Sequence, residues 1–279
     1  MKNNNLPIGL FDSGVGGLTV LAAVRAHLPG ESVLYLGDTA RLPYGAKSPA
    51  TIRRYALQCA GQLVERGIKM LVVACNTASA VALPALMEAF PYLPVLGVVE
   101  PGAAAGCAAS LSGRIAVIGT KSTIEGGAYQ RAILALRPDA VITALPCPLF
   151  VPLAEEGLVS GSIAEAVAAH YLDAVFAPKS GGRDAANRPD CLVLGCTHFP
   201  LLQETIGKVV GQGVTLVDSA ATTAAAVADV LRGRKLGAGN AAPAATHFLT
   251  TDDPARFAEV GRWFLGMDIS REAVELVDL

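Results

Sequence analysis

The chain has 279 residues, of which 52% are hydrophobic and only 16% charged: enough apolar material for a sizeable core, and far too little charge for a disordered chain. Its 22 basic and 24 acidic side chains leave a formal net charge of −2, with no basic excess to neutralise a phosphate backbone, which argues against nucleic-acid binding as the main function. Apolar runs such as Met70 to Ala74 fall far short of the roughly 20 residues a spanning helix needs. The opening MKNNNLPIGLF has no apolar signal core, so a soluble, cytoplasmic chain is predicted.

In chain order, the pattern predicts a strand over Pro7–Phe11, a helix over Gly17–His27, a strand over Ser32–Leu36 and a helix over Ser48–Arg66. A strand over Met70–Ala74, a helix over Ser79–Phe90 and a strand over Val95–Val99 follow. Next come strands over Arg114–Ile118 and Ala140–Ala144 around a helix over Gly126–Ala135, then a helix over Ser162–Phe176. Strands over Cys191–Leu194 and Gly213–Val217 precede a helix over Ala220–Leu231. The strands are apolar on both faces, as in parallel sheets covered by helices, so the class is α/β. KSGGRDAANRPD (Lys179–Asp190) reads as a polar surface loop, and LGAGNAAPAA (Leu236–Ala245) as a flexible connector. The final segment, HFLTTDDPARFAEVGRWFLG, holds a short strand and an amphipathic helix.

A faint internal repeat runs through this order. LFDSGVGG from Leu10 lines up with VIGTKSTIEGG from Val117, and Ala74-Cys75-Asn76-Thr77 with Gly195-Cys196-Thr197-His198. The chain therefore reads as two similar α/β halves, each placing a cysteine at the end of its third strand.

That position matters, because open α/β sheets bind ligands at the carboxyl ends of their strands. A thiol there meets free backbone N–H groups and the positive end of a helix dipole. Asn76 and Thr77 add short polar groups beside Cys75, and Thr197 and His198 do so beside Cys196. The bland alternative is a pair of buried cysteines followed by cap residues. A metal site is disfavoured: Cys-x-His supplies at most two ligands, and the chain has no CxxC or HxxxH partner.

Two thiols in equivalent frames suit one reaction type. If the halves face each other across a cleft, one sulfur can take a proton from one face of a carbon while the other returns a proton to the opposite face. The cysteine reference pKa of about 8.5 allows both forms near neutrality.

The turn after the first strand, IGLFDSGVGGL, is rich in glycine and raises the question of a dinucleotide cradle, with Asp38 as a ribose acid. Thr19 stands where the third glycine is needed, and Asp12 would repel a pyrophosphate at the mouth of the turn. An acid there suits a substrate ammonium group or acid/base support. GTKST (Gly119–Thr123) lacks the residue order of a phosphate-binding loop. In YLGDTARLPYG, the Pro43-Tyr44-Gly45 turn could offer backbone N–H groups to a carboxylate. PLFVPLAEEG reads as a Pro-rich loop with two adjacent acids, Glu155 and Glu156, between which composition does not choose.

With GLFDSGVGGLTV, YLGDTARLPYG, VVACNTASA, GVVEPG, AVIGTKSTI, CPLFVPLAEEG and LVLGCTHFPLL in this order, the chain resembles the glutamate racemases of the aspartate/glutamate racemase superfamily, from about Ile8 to Val217. The resemblance implies an isomerase that interconverts L- and D-glutamate without cofactor or metal and supplies D-glutamate for peptidoglycan. It implies that Cys75 takes the α-proton from D-glutamate and Cys196 from L-glutamate. Asp12 and His198 would assist, with Glu155 near His198. Asp12, Ser13, Pro43, Tyr44, Gly45, Asn76, Thr77, Thr197 and His198 would line the substrate. The implied fold is two parallel-sheet α/β domains, 1–98 with 213–279 and 99–212, related by a pseudo-twofold around a cleft. The partner expected is the small-molecule substrate; a homodimer stays open, and neither nucleic acid nor membrane is expected. The alternatives are an aspartate or other amino-acid racemase of the same superfamily, or a small-molecule-binding module without chemistry.

Overall fold

The computed structural model describes residues 4–177, 188–239 and 244–279. The chain starts with β1 (Ile8–Asp12), α1 (Leu18–His27), β2 (Val33–Gly37), α2 (Pro49–Glu65), β3 (Met70–Val73), α3 (Asn76–Ala89) and β4 (Val95–Gly97). It continues through α4 (Val99–Ala109), β5 (Arg114–Gly119), α5 (Lys121–Glu125), α6 (Ala128–Leu136), β6 (Val141–Pro146), α7 (Phe150–Glu155), α8 (Gly161–Phe176), β7 (Cys191–Gly195), α9 (Gln203–Val210) and β8 (Thr215–Asp218). It ends with α10 (Ser219–Arg234), β9 (Thr246–Thr250), α11 (Pro254–Leu265) and β10 (Val274–Leu276). Two units result, one of Met1–Val98 with Ala220–Leu279 and one of Val99–Ser219.

The first unit holds a six-stranded sheet in the order β10-β9-β2-β1-β3-β4, parallel throughout. Its central strands are buried on both faces, which is why their sequences are near-continuous apolar runs. Phe11, Leu36 and Val73 point to one side, against Ile52, Cys59 and Leu63 of α2 and Ala82 and Leu86 of α3. On the other side α1 packs on α11, where Gly261 leaves room for Leu18: a Cβ on that glycine would stand 2.8 Å from Leu18 Cδ1.

The second unit holds a four-stranded parallel sheet in the order β6-β5-β7-β8. In both sheets the first strand of the unit lies between the second and third, so the chain's direction of travel reverses at β1/β3 and at β5/β7. Such switch points open a crevice at the carboxyl ends of the strands. Cys75 follows β3 and Cys196 follows β7, so each thiol stands at the switch point of its own sheet.

Several expectations need correction. The chain does not leave the second unit at Gly213: β8 pairs with β7 through Cys191↔Thr215 to Leu194↔Asp218, and the crossing falls after Ser219. Helix α3 begins at Asn76, not Ser79, because Cys75 itself is the N-cap. FVPLAE (Phe150–Glu155) is helical rather than a loop, since Pro152 sits in the first turn of α7, where a missing N–H costs nothing. Val99 opens α4 instead of closing β4. The sequence pattern missed α4 because Gly102 and Gly106 look like breakers. In the structure they are contact points, where a Cβ would stand 3.1 Å from Tyr129 Oη and 2.7 Å from Val193 Cγ2, respectively. Strands β6 and β8 are half exposed rather than buried on two sides, being the edges of their sheet. The expected loop at Lys179–Asp190 falls largely, and the connector at Leu236–Ala245 partly, outside the described residues.

Candidate active site

The first thiol group is built on the ends of β1 and β3. Backbone pairing aligns Phe11 with Val73, and Ala74 N–H donates to Phe11 O at 2.9 Å, so the Asp12-Ser13 corner runs beside the Ala74-Cys75 corner. The Cys75 thiol faces Ser13 Oγ at 3.6 Å and accepts the Ala78 N–H at 3.4 Å. Sulfur thus serves as the cap of α3, where backbone donors and the helix dipole favour negative charge. Cys75 is 5% exposed, and Asn76 and Thr77 are buried in the first helical turn behind it. Asp12 is fully buried, its Oδ2 accepting the Gly14 N–H at 3.1 Å.

The Pro43-Tyr44-Gly45 turn belongs to the same unit and packs against α3 through a 3-10 turn over Tyr44–Ala46. The Tyr44 hydroxyl does not point outward; it donates to Asp38 Oδ2 and lies 3.7 Å from Cys59 Sγ. What this turn can offer a ligand is therefore backbone rather than phenol. Asp38 anchors the arrangement: Arg41 Nε donates to its two oxygens at 2.8 and 3.0 Å, and the Thr251 hydroxyl donates to Oδ1 at 2.9 Å. Arg41 also lies 4.1 Å over the Tyr55 ring. The sequence reading met Asp38 only as a rejected ribose ligand; Arg41 and Tyr44 follow it within six residues, but Thr251 comes from a distant segment that no local spacing signals.

The second thiol group is built on β7 and α7. Cys196 is 5% exposed, with His198 Nδ1 at 3.8 Å from its Sγ. Thr197 Oγ1 is 3.4 Å from the same ring nitrogen, and His198 Nε2 meets Glu155 Oε1 at 3.0 Å. Glu156 is exposed. Glu155 reaches the histidine because Phe150 at the start of α7 stacks edge-on against Phe199 at 5.2 Å, locking α7 to the turn that follows Cys196. Burial works against the charged imidazole, but the hydrogen bonds and charges of Cys196 and Glu155 outweigh it and raise His198 to about 10. When Cys196 carries negative charge, the ring is an imidazolium donating from both nitrogens.

The two groups are analogous but not alike. In the repeat frame Gly119 stands where Asp12 does, and His198 where Thr77 does. A carboxylate accompanies the first sulfur and an imidazole the second. Of the other cysteines, burial holds the Cys59 thiol well up and pushes Cys147 and Cys191 up to about 12, so these three remain protonated and unreactive. Among the described residues no group of three or more His, Cys, Asp or Glu is placed to hold a metal ion, and no helix is long and apolar enough to cross a membrane.

The profile of the Asp/Glu/hydantoin racemase family matches residues 19–227. The chain is 51% identical over 259 residues to a glutamate racemase of Geobacter metallireducens, covering 93% of this chain and 92% of that one. The crystal structure of the Francisella tularensis glutamate racemase in complex with D-glutamate superposes with a TM-score of 0.88 at 36% identity, covering 99% of this chain and 98% of the other. The Thermus thermophilus enzyme in complex with β-chloro-D-alanine superposes at 0.86 with 46% identity, covering 100% and 99%.

Proposed function

The chain belongs to the Asp/Glu/hydantoin racemase family, and from that premise we infer that it is an isomerase interconverting L- and D-glutamate by two-base proton transfer at the α-carbon. The observation that carries the inference is a cysteine at the switch point of each of two equally ordered parallel sheets, each with its own polar assistants. The relatives named above and the D-glutamate held by one of them support the choice of substrate.

In the proposed reaction the Cys75 thiolate takes the α-proton of D-glutamate, and the electron pair of the broken C–H bond spreads into the α-carboxylate. The Cys196 thiol then delivers its proton to the opposite face, giving L-glutamate and leaving Cys75 as thiol and Cys196 as thiolate. Running from L-glutamate restores the starting state. Asp12 and Ser13 assist the first sulfur. The His198 imidazolium, held by Glu155, balances negative charge on the second. Asn76, Thr77, Thr197 and the backbone of Pro43, Tyr44 and Gly45 supply hydrogen bonds to substrate. The expected role is supply of D-glutamate for peptidoglycan in the cytoplasm.

In D2O both enantiomers are expected to acquire deuterium at the α-carbon, read by NMR. Cys75→Ser and Cys196→Ser should each slow racemisation at least 100-fold, a lower bound set by the loss of one general acid/base. Full racemisation by either single variant overturns the two-base assignment. Turnover of aspartate in preference to glutamate reassigns the substrate, and absence of any turnover leaves a binding module.

A further inference from the structure

Tyr35 has no part in the proton transfers above, yet the first thiol group hangs on it. Gly14 follows Asp12 and Ser13 in the turn that leaves β1; its N–H donates to the Asp12 carboxylate at 3.1 Å, and its carbonyl accepts the Tyr35 hydroxyl at 2.9 Å. The same carbonyl rests on Gly37, where a Cβ would stand 2.5 Å from the Gly14 oxygen. Tyr35 and Gly37 are alternate residues of β2 and so share one face of the sheet. One supplies a donor to the carbonyl, and the other leaves it room. The phenol itself is fully buried and fixed by Phe257 and Phe248, with ring centroids 5.9 and 6.5 Å away.

The convergence is close. A Cβ on Gly17 would meet Asp12 Cβ at 2.5 Å, Ala74 Cβ at 3.0 Å and Tyr35 Oη at 3.0 Å, so the phenol, the acid and the residue before Cys75 surround one point. Burial first, and then the charges of Asp12 and Cys75, raise the Tyr35 pKa, so it remains an O–H donor through the catalytic cycle.

We propose that Tyr35 is a positioning residue for the Cys75 half-reaction: its hydroxyl fixes the Asp12-Ser13-Gly14 turn and thereby the groups that assist the first sulfur. This rests on the racemase reading, in which Cys75 exchanges the α-proton of D-glutamate. Removing the hydroxyl slows one of the two proton transfers and leaves the other, which a purely structural tyrosine would not do.

The test is Tyr35→Phe, which keeps the ring. The expected fall in kcat is about tenfold, the scale of one buried hydrogen bond. Substrate deuterium isotope effects locate the damage. With D-[2-2H]glutamate the effect on kcat should rise, because proton removal by Cys75 now limits. With L-[2-2H]glutamate it should fall, because removal by Cys196 no longer does. Isotope effects that stay put, or that move in the same direction for both enantiomers, overturn the proposal. So does a variant whose fold is lost, seen as equal gains in iodoacetamide labelling of Cys75 and Cys196, since the ring-preserving change would then matter to the whole core. An active wild type beside an unaltered variant refutes Tyr35 alone, whereas a wild type that exchanges no α-proton refutes the racemase reading with it.

Discussion

At the scale of single residues, the two sulfurs differ in what surrounds them, and the difference is testable by pH. The folded-state pKa of His198 is about 10 against an ordinary value of 6.5, so folding takes up a proton in the interval between them. The stabilisation is fully present below pH 6.5 and is lost as pH rises through about 10. Urea denaturation should show wild type weakening relative to His198→Gln between pH 7 and 10. Glu155→Gln should reduce that slope, because the imidazolium loses the negative charge beside Nε2. In the same variant kcat should fall by about 10- to 100-fold, the range for a group that supports an acid/base rather than replacing it. The isotope effect should grow with L-[2-2H]glutamate, the opposite of the Tyr35→Phe pattern. Cys75, Cys196 and His198 stood out in the sequence because strand-end cysteines with short polar neighbours are a local pattern. Tyr35 and Asp38 did not, because their partners Gly14 and Thr251 are set by register between distant segments.

At the scale of elements, each thiol depends on a strand ending at a particular height. Gly195 closes β7 beneath Cys196, and a Cβ there would meet Ile118 O at 2.8 Å and Tyr129 Cε2 at 3.0 Å. The oxygen belongs to the neighbouring strand and the ring is fully buried, so neither can yield without moving the sheet. Gly195→Ala is therefore expected to destabilise by about 1–3 kcal/mol, the usual cost of overpacking, and to lower kcat beyond what its loss of stability explains; chemical denaturation and kinetics on the same sample measure both. The elements legible beforehand were those with strong apolar runs bounded by glycine or proline, such as β1, β2 and β3. Those missed included α4, whose glycines serve packing, α7, whose Pro152 is harmless in a first turn, the short α5 and α9, and β10 with its exposed residues.

At the scale of the chain, the first unit is closed by segments far apart in sequence, and a buried ion pair marks where they meet. Lys69 Nζ bonds Glu31 and donates to Asn4 O at 2.7 Å, while Glu31 Oε1 accepts the Ala238 N–H at 2.7 Å. The pair thus joins the start of the chain, the entries to β2 and β3, and the stretch after α10. Removing one partner leaves an uncompensated buried charge, so Lys69→Met should cost about 3–5 kcal/mol. The double variant Lys69→Met/Glu31→Leu should recover much of that loss, with urea midpoints distinguishing the two outcomes. The repeat read from the sequence has its counterpart in the common strand order β2-β1-β3-β4 and β6-β5-β7-β8. The return of the chain was misjudged at Gly213 because β8, a half-exposed edge strand, carries no local mark of which sheet it joins.

The amino-acid sequence by itself determined the α/β class, the alternation of strand and helix, and the placing of a cysteine after the third strand of each repeat. Periodicity, turn residues and strand-end position are written within a few neighbouring residues. Only the tertiary structure decided that Cys75 caps its own helix, that Glu155 rather than Glu156 meets His198, that Tyr44 turns inward to Asp38 and that Tyr35 holds Gly14. Each of these depends on which atoms strand pairing and helix packing bring within bonding distance, and that distance is a property of the folded sheet rather than of any segment taken alone.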